Sequence, residues 1–230
     1  MSSRAEARIL GRFARAALEA GPATVFAAFE HSCYVETRAG IACLGGANLG
    51  PGPLNAVLSS FSPGETGKRM NVGLDRAALW TPAPIRKATA PPSLAIPQAI
   101  EGPAQAFLDW LAGKGAPDDA LIGLGPGLTP AGDDFVGGAM IALRAFGEGA
   151  LADRIAAWAL PLAAERTSRI SRAHLACAAH GEGHEALHDW LDGFRDDDYR
   201  RLERIGHSSG VDAASGAALA LDRRPERARP

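Results

Sequence analysis

The stretch TPAPIRKATAPPSLAIP, residues 81–97, separates two halves of different pattern. Pro82, Pro84, Pro91, Pro92 and Pro97 remove backbone donors and block helix, which predicts an extended connection. Before it, short apolar runs at 23–29, 33–38, 41–44, 55–60 and 70–74 are punctuated by Gly, Pro and Asn and predict a small, mainly antiparallel sheet. After it, helical spacing dominates: Phe107/Leu108/Leu111, Phe135/Met140/Leu143, Leu151/Ile155/Trp158/Leu162, Leu175/Cys177, Leu187/Trp190/Leu191 and Tyr199/Leu202. That pattern predicts about six helices. The fold class is therefore α+β, a small, mainly antiparallel β-rich N-terminal half packed on a helical C-terminal half.

At the N-terminus, Ile9, Leu10, Phe13, Ala17 and Leu18 fall at helical spacing beside Arg4, Arg8, Arg12 and Arg15, and Glu6 and Glu19 argue against a transit peptide. The expected division is an N-terminal helix over 1–22, a β-rich domain over 23–96, a helical domain over 97–222 and a flexible tail over 223–230. The tail is charged and proline-bearing and has no apolar face.

A net charge of -2 and a pI near 6.3 give no general attraction to nucleic acid or an anionic membrane, so neither is an expected partner. No apolar run reaches the roughly 20 residues that a bilayer requires. Cys33, Cys43 and Cys177 are odd in number and lack CxxC spacing, which points away from a disulfide framework or cysteine zinc site and towards the reducing cytoplasm.

The densest chemistry lies in Gly123-Leu124-Gly125-Pro126-Gly127-Leu128-Thr129-Pro130-Ala131-Gly132-Asp133-Asp134, which runs into an apolar helix. Glycines let a ligand approach the backbone, and a helix N-terminus offers unpaired N–H groups to an anion. Asp133 stands where a P-loop has lysine, so nucleotide binding is not supported. Asp133 and Asp134 suit a hard cation such as Mg2+ or acid/base work, or they are an N-cap and a first-turn acid.

A second segment, Gly206-His207-Ser208-Ser209-Gly210, matches GxSxG, but a nucleophile elbow follows a strand and 199–205 reads as helix. Ser208, Ser209 and His207 can instead bind an oxyanion at the start of the last helix, or a serine simply caps that helix. In the third, Glu165–Arg172, Arg166 has the planar fork that binds carboxylate or phosphate, and Ser168 is a candidate helix cap. His180, His184 and His188 have helical spacing, but Gly181 and Gly183 interrupt it, which favours a solvated face over zinc. In the first half, His31-Ser32 precedes a strand and the Asn48–Asn55 loop is explained by turn chemistry.

Taken together, His31-Ser32, Gly50–Pro53, Leu121–Asp134, Arg166-Thr167 with Ile170-Ser171, and Gly206–Asp212 resemble the successive motifs of the AllH subunit family of oxamate carbamoyltransferase, over about residues 20–220. The resemblance implies one subunit of an AllF–AllG–AllH complex that converts oxalurate and phosphate to oxamate and carbamoyl phosphate in allantoin breakdown. These ligands are anions, and carbamoyl transfer builds charge that N–H, hydroxyl and Arg donors stabilise. The resemblance implies anion contact at Gly125, Gly127 and Thr129, with Ser171, His31 and Ser32 also in the binding set, and charge neutralisation by Arg166. It implies that His207, Ser208 and Ser209 orient the transferred group. Asp133 or Asp134 is then a base, an orienter of donors or a Mg2+ ligand; no cofactor is otherwise required. A non-catalytic anion- or partner-binding subunit is the alternative, and a stand-alone serine hydrolase ranks last.

Overall fold

The computed structural model describes residues 5–87 and 90–223. They form two compact units that divide after Pro82. Among the described residues the strands lie in the first unit and the second is helical, so the chain is α+β with a β-rich N-terminal half and a helical C-terminal half.

The first unit holds β1 (Ala5–Gly11), α1 (Arg12–Glu19), β2 (Ala23–Ala28), β3 (Ser32–Thr37), β4 (Gly40–Gly45), β5 (Asn55–Leu58), β6 (Arg69–Met70), β7 (Val72–Gly73) and β8 (Ala78–Trp80). The sheet order is β6-β2-β3-β4-β5-β1-β7, with β8 also paired to β1. The pairs β6–β2, β2–β3, β3–β4 and β5–β1 are antiparallel, as alternating runs joined by tight turns favour. The remaining pairs, β4–β5, β1–β7 and β1–β8, are parallel because the chain crosses over before each returns to its neighbour. Leu10, Val25, Cys33, Val35, Leu44 and Leu58 pack with Ala14, Ala17 and Leu18 of α1 in one core.

The N-terminal helix is half of what the spacing suggested. Helix α1 covers only Arg12–Glu19, while residues 5–11 are a strand paired with β5 on one side and with β7 and β8 on the other. Long-range pairing outweighs a local helical pattern, and Gly11 would weaken a continuous helix by about 1 kcal/mol relative to Ala. Gly11 is needed for a different reason: a Cβ there would lie 1.9 Å from the Gly52 carbonyl oxygen. That close approach lets the Pro53 carbonyl accept from the N–H groups of both Phe13 and Ala14, each at 3.0 Å, closing the helix start.

The second unit has seven α-helices among the described residues: α2 (Glu101–Leu111), α3 (Ala131–Ala145), α4 (Gly149–Arg166), α5 (Arg169–Ala179), α6 (Glu185–Leu191), α7 (Asp196–Leu202) and α8 (Ser209–Asp222). Six correspond to the large apolar residues read above. The seventh, α8, buries Ala214, Ala217, Ala218 and Ala220, too small to mark a stripe. Those small residues allow close contact: a Cβ on Gly138 of α3 would lie 1.9 Å from the Ala213 carbonyl oxygen, and one on Gly216 of α8 would lie 1.9 Å from that of Phe135. Larger side chains fill the space around α3, where Phe107 meets Phe135 edge-on at 6.1 Å and stacks on Trp158 at 5.7 Å.

The proline-rich connection lies with the helical unit. Ile85, Leu94 and Ile96 pack on its core, and Asp192 accepts from the backbone N–H groups of Arg86 and Lys87 at 2.6 and 2.9 Å. Helix α8 ends at Asp222, and residues 224–230 of the tail lie outside the described residues. No helix among the described residues is long and apolar enough to cross a membrane.

Candidate functional site

The glycine-rich loop ends at Pro130, whose carbonyl accepts from Asp133 and Asp134 N–H at 2.9 and 3.1 Å as α3 begins. Gly123, Gly125 and Gly127 have φ of +81°, +121° and +90°, a region that side-chain-bearing residues avoid. Gly123 also abuts the chain leaving α4, where a Cβ would stand 2.3 Å from the Arg166 carbonyl oxygen. Gly127 faces open space, and Leu128 at the loop tip is 42% exposed.

Both aspartates lie in the first turn of α3, and neither caps it. Asp133 is buried and fully used: Oδ1 accepts from Gly123 N–H at 2.8 Å, while Oδ2 accepts from the Thr167 hydroxyl and, at 2.6 Å, from the Ser171 hydroxyl. It therefore ties the loop to the α4–α5 junction. Ser168 strengthens the tie, since its hydroxyl donates to the Leu128 carbonyl at 2.5 Å while its oxygen caps α5 by accepting from Ser171 N–H at 3.0 Å. Sequence reading placed Ser171 among the anion contacts; here its hydroxyl is occupied by Asp133.

Asp134 has a different environment. Burial pushes its carboxyl well above the usual range, and the charges of Asp212 and Asp133 push the same way, against hydrogen bonds from Ser209 and Thr129. Its Oδ2 is out of solvent and has no donor. Asp212, in the first turn of α8, is 4% exposed; burial raises its carboxyl too, against a hydrogen bond from Ser208, and its Oδ2 also lacks a donor.

The loop and the 206–210 segment meet. The Thr129 and Ser209 hydroxyls hydrogen-bond to each other at 2.9 Å, 80 residues apart in sequence. Gly206 turns the chain at φ +62°, His207 and Ser208 are exposed, and α8 starts at Ser209. Ser208 occupies the N-cap position of α8 without a capping hydrogen bond, and it lies near Asp212, one turn on. The element before this segment is α7, so the strand that a nucleophile elbow requires is missing and the serine-hydrolase reading falls.

Arg166 is exposed at the end of α4, with its guanidinium Nη1 on the Asp119 carbonyl at 2.9 Å and no ion pair among the described residues. His31 is exposed beside Glu30, 3.6 Å away, and Ser32 starts β3; both belong to the β-rich unit rather than the helical one. The candidate site in the helical unit thus gathers Gly125, Gly127, Thr129, Asp133, Asp134, Ser208 and Ser209. Sequence reading gave no role to Thr167, whose hydroxyl holds Asp133, or to Asp212. Asp212 was marked only as the last residue of the Gly206–Asp212 motif, four residues after Ser208 and one helical turn on.

His184 caps α6, accepting from Ala186 N–H at 3.2 Å, and His188 accepts from Gly183 N–H at 3.1 Å. His188 is buried, which corrects the reading of a solvated face: the glycines that break the helix fold it inward onto the core. No group of three or more His, Cys, Asp or Glu residues placed to hold a metal occurs among the described residues.

No curated protein and no solved structure matches the chain. The recognised span is narrower than the motif resemblance suggested and starts just ahead of the glycine-rich loop. Residues 121–221, from that loop to the end of α8, match the family described as oxamate carbamoyltransferase subunit AllH.

Proposed function

We propose that this chain supplies the anion- and carbamoyl-binding part of a carbamoyltransferase in which oxalurate and phosphate yield oxamate and carbamoyl phosphate. The observation that carries the reading is the Thr129–Ser209 hydrogen bond, 2.9 Å long, which unites the two most unusual segments of the family-matched span. The proposed donors to oxygen anions are the loop backbone at Gly125 and Gly127 and the hydroxyls of Thr129, Ser208 and Ser209, with Arg166, exposed at the end of α4, as the proposed positive charge. Positioned donors of this kind stabilise charge growing on a carbonyl oxygen without a covalent nucleophile. His207 stands beside them at the surface, where it can orient the transferred group.

Asp133 holds the loop in shape. The reading requires no cofactor, and Mg2+ fits Asp134 better than Asp133, whose oxygens are already taken. AllF- and AllG-type subunits are the proposed partners, in the cytoplasm, and the exposed Leu128 beside the site suits coverage by another chain. His31 and Ser32 remain proposed anion contacts from the β-rich unit.

Co-expression with AllF- and AllG-type subunits, pull-down and an assay of phosphate-dependent oxalurate cleavage test the reading. Co-purification with carbamoyl phosphate formation is expected. Folded chain that neither assembles nor supports cleavage would overturn it.

A further inference from the structure

The donors around the Thr129–Ser209 contact serve oxygen atoms, yet a carbamoyl group and the oxamate amide also carry N–H groups that need acceptors. Asp133 cannot provide one, because Gly123, Thr167 and Ser171 occupy its carboxylate. Two carboxyl oxygens remain: Oδ2 of Asp134 and Oδ2 of Asp212, both out of solvent and both without a donor. Asp212 is 4% exposed, so water does not satisfy it in bulk, and a buried acceptor left unpaired is costly unless a ligand supplies the hydrogen. The site's own hydroxyls stand near both carboxyls and favour their charged forms, Ser208 for Asp212 and Ser209 with Thr129 for Asp134.

We infer that Asp212, together with Asp134, is the specificity determinant of this site, accepting hydrogen bonds from the N–H groups of a primary amide or carbamoyl group and rejecting a carboxylate of the same shape. The inference rests on the carbamoyltransferase reading and adds a residue to it. Ligand entry requires the Thr129 and Ser209 hydroxyls to shift from Asp134, exchanging their mutual hydrogen bond for bonds to the ligand. A carboxylate in the same place meets charge and an unpaired acceptor, and a site built for N–H groups discriminates strongly against ligands that lack them.

Oxamate and oxalate make the test, since they differ by one –NH2 in place of one –O−. Calorimetric titration of the assembled complex should show oxamate bound at least about tenfold more tightly than oxalate, although oxalate has the greater charge. Asp212→Asn keeps the shape and replaces an acceptor oxygen with an N–H2 donor. It should weaken oxamate and strengthen oxalate, narrowing or reversing the preference, and a gain for oxalate cannot arise from misfolding. An unchanged preference in a variant that melts like the wild type overturns the inference. So does Mg2+ binding lost in Asp212→Asn while oxamate and oxalate bind alike, because Asp212 is then a metal ligand. The wild-type comparison reports even where the variant does not fold: equal affinity for the two ligands overturns the inference and leaves the anion site standing. Failure of phosphate, oxamate and oxalate alike to bind the folded complex would overturn the carbamoyltransferase reading itself.

Discussion

At the residue scale, two neighbouring aspartates have opposite uses. Asp133 accepts three hydrogen bonds and is structural; Asp134, one position on, has an unpartnered oxygen beside two hydroxyls. Replacing Asp133 with Ala strands the Gly123 N–H and two hydroxyls, so urea denaturation should show a loss of about 3 kcal/mol. Ser171→Ala, which removes one donor, should cost about 1 kcal/mol in the same experiment. Little change in either would mean that the clasp does not hold the loop. Arg166→Lys keeps the charge and loses the fork, and should weaken phosphate binding to the assembled complex roughly tenfold by calorimetry. Unchanged affinity would remove Arg166 from the site and leave it only its bond to the Asp119 carbonyl.

At the scale of elements, the position of Ser209 depends on two glycines in helix interiors. Gly138 and Gly216 let α3 and α8 meet backbone to backbone, so a methyl group at either pushes the helices apart. Gly138→Ala and Gly216→Ala should each destabilise the protein by about 2–3 kcal/mol, seen as a lower melting temperature. Each should also loosen the Thr129–Ser209 contact; a variant with wild-type melting would show that the packing is less tight than the distances indicate. This contact also marks the limit of what the sequence discloses. Large apolar residues at helical spacing revealed α2 to α7, and the glycine density of 123–134 revealed the loop. An Ala/Gly helix leaves no such mark, so the main neighbour of α3 was visible only as the helix after Gly206-His207-Ser208. Strand β1 was hidden because its partners lie about fifty or more residues away, at Ala56–Leu58 and beyond, and pairing at that distance leaves no local period. The meeting of Thr129 with Ser209 and the burial of Asp212 are likewise tertiary facts. The residue types for chemistry were legible, whereas the split between the structural Asp133 and the available Asp134 was not.

At the scale of the whole molecule, buried titratable groups set opposing pH dependences. Burial lowers His174 and His188 to about 4, so between that value and the ordinary 6.5 the unfolded chain takes protons that the folded one refuses. Their contribution is complete above about 6.5 and is lost as pH falls towards about 4. Asp134 and Asp212 have raised folded values, so their contribution is complete below the ordinary carboxylate range and is lost as pH rises from that range through the raised folded values. Removing one side should unmask the other. In urea titrations between pH 4 and 6.5, Asp134→Asn should steepen the gain of stability with rising pH, and His188→Gln should flatten it. Parallel curves for both variants and the wild type would show that these groups titrate alike in the folded and unfolded states. The Asp133 clasp has a further consequence, in the time domain. Its hydrogen bond makes Gly123 N–H, a loop amide, openable only when the loop, α3 and the α4–α5 junction separate together. In deuterated solvent that amide should exchange on the slow schedule of the helical core, while the amide of Gly127, four residues away, exchanges on the fast schedule of a surface loop. The loop is therefore one segment with two clocks, a fixed root at Gly123 and an open turn at Gly127 just ahead of the Leu128 and Thr129 ties.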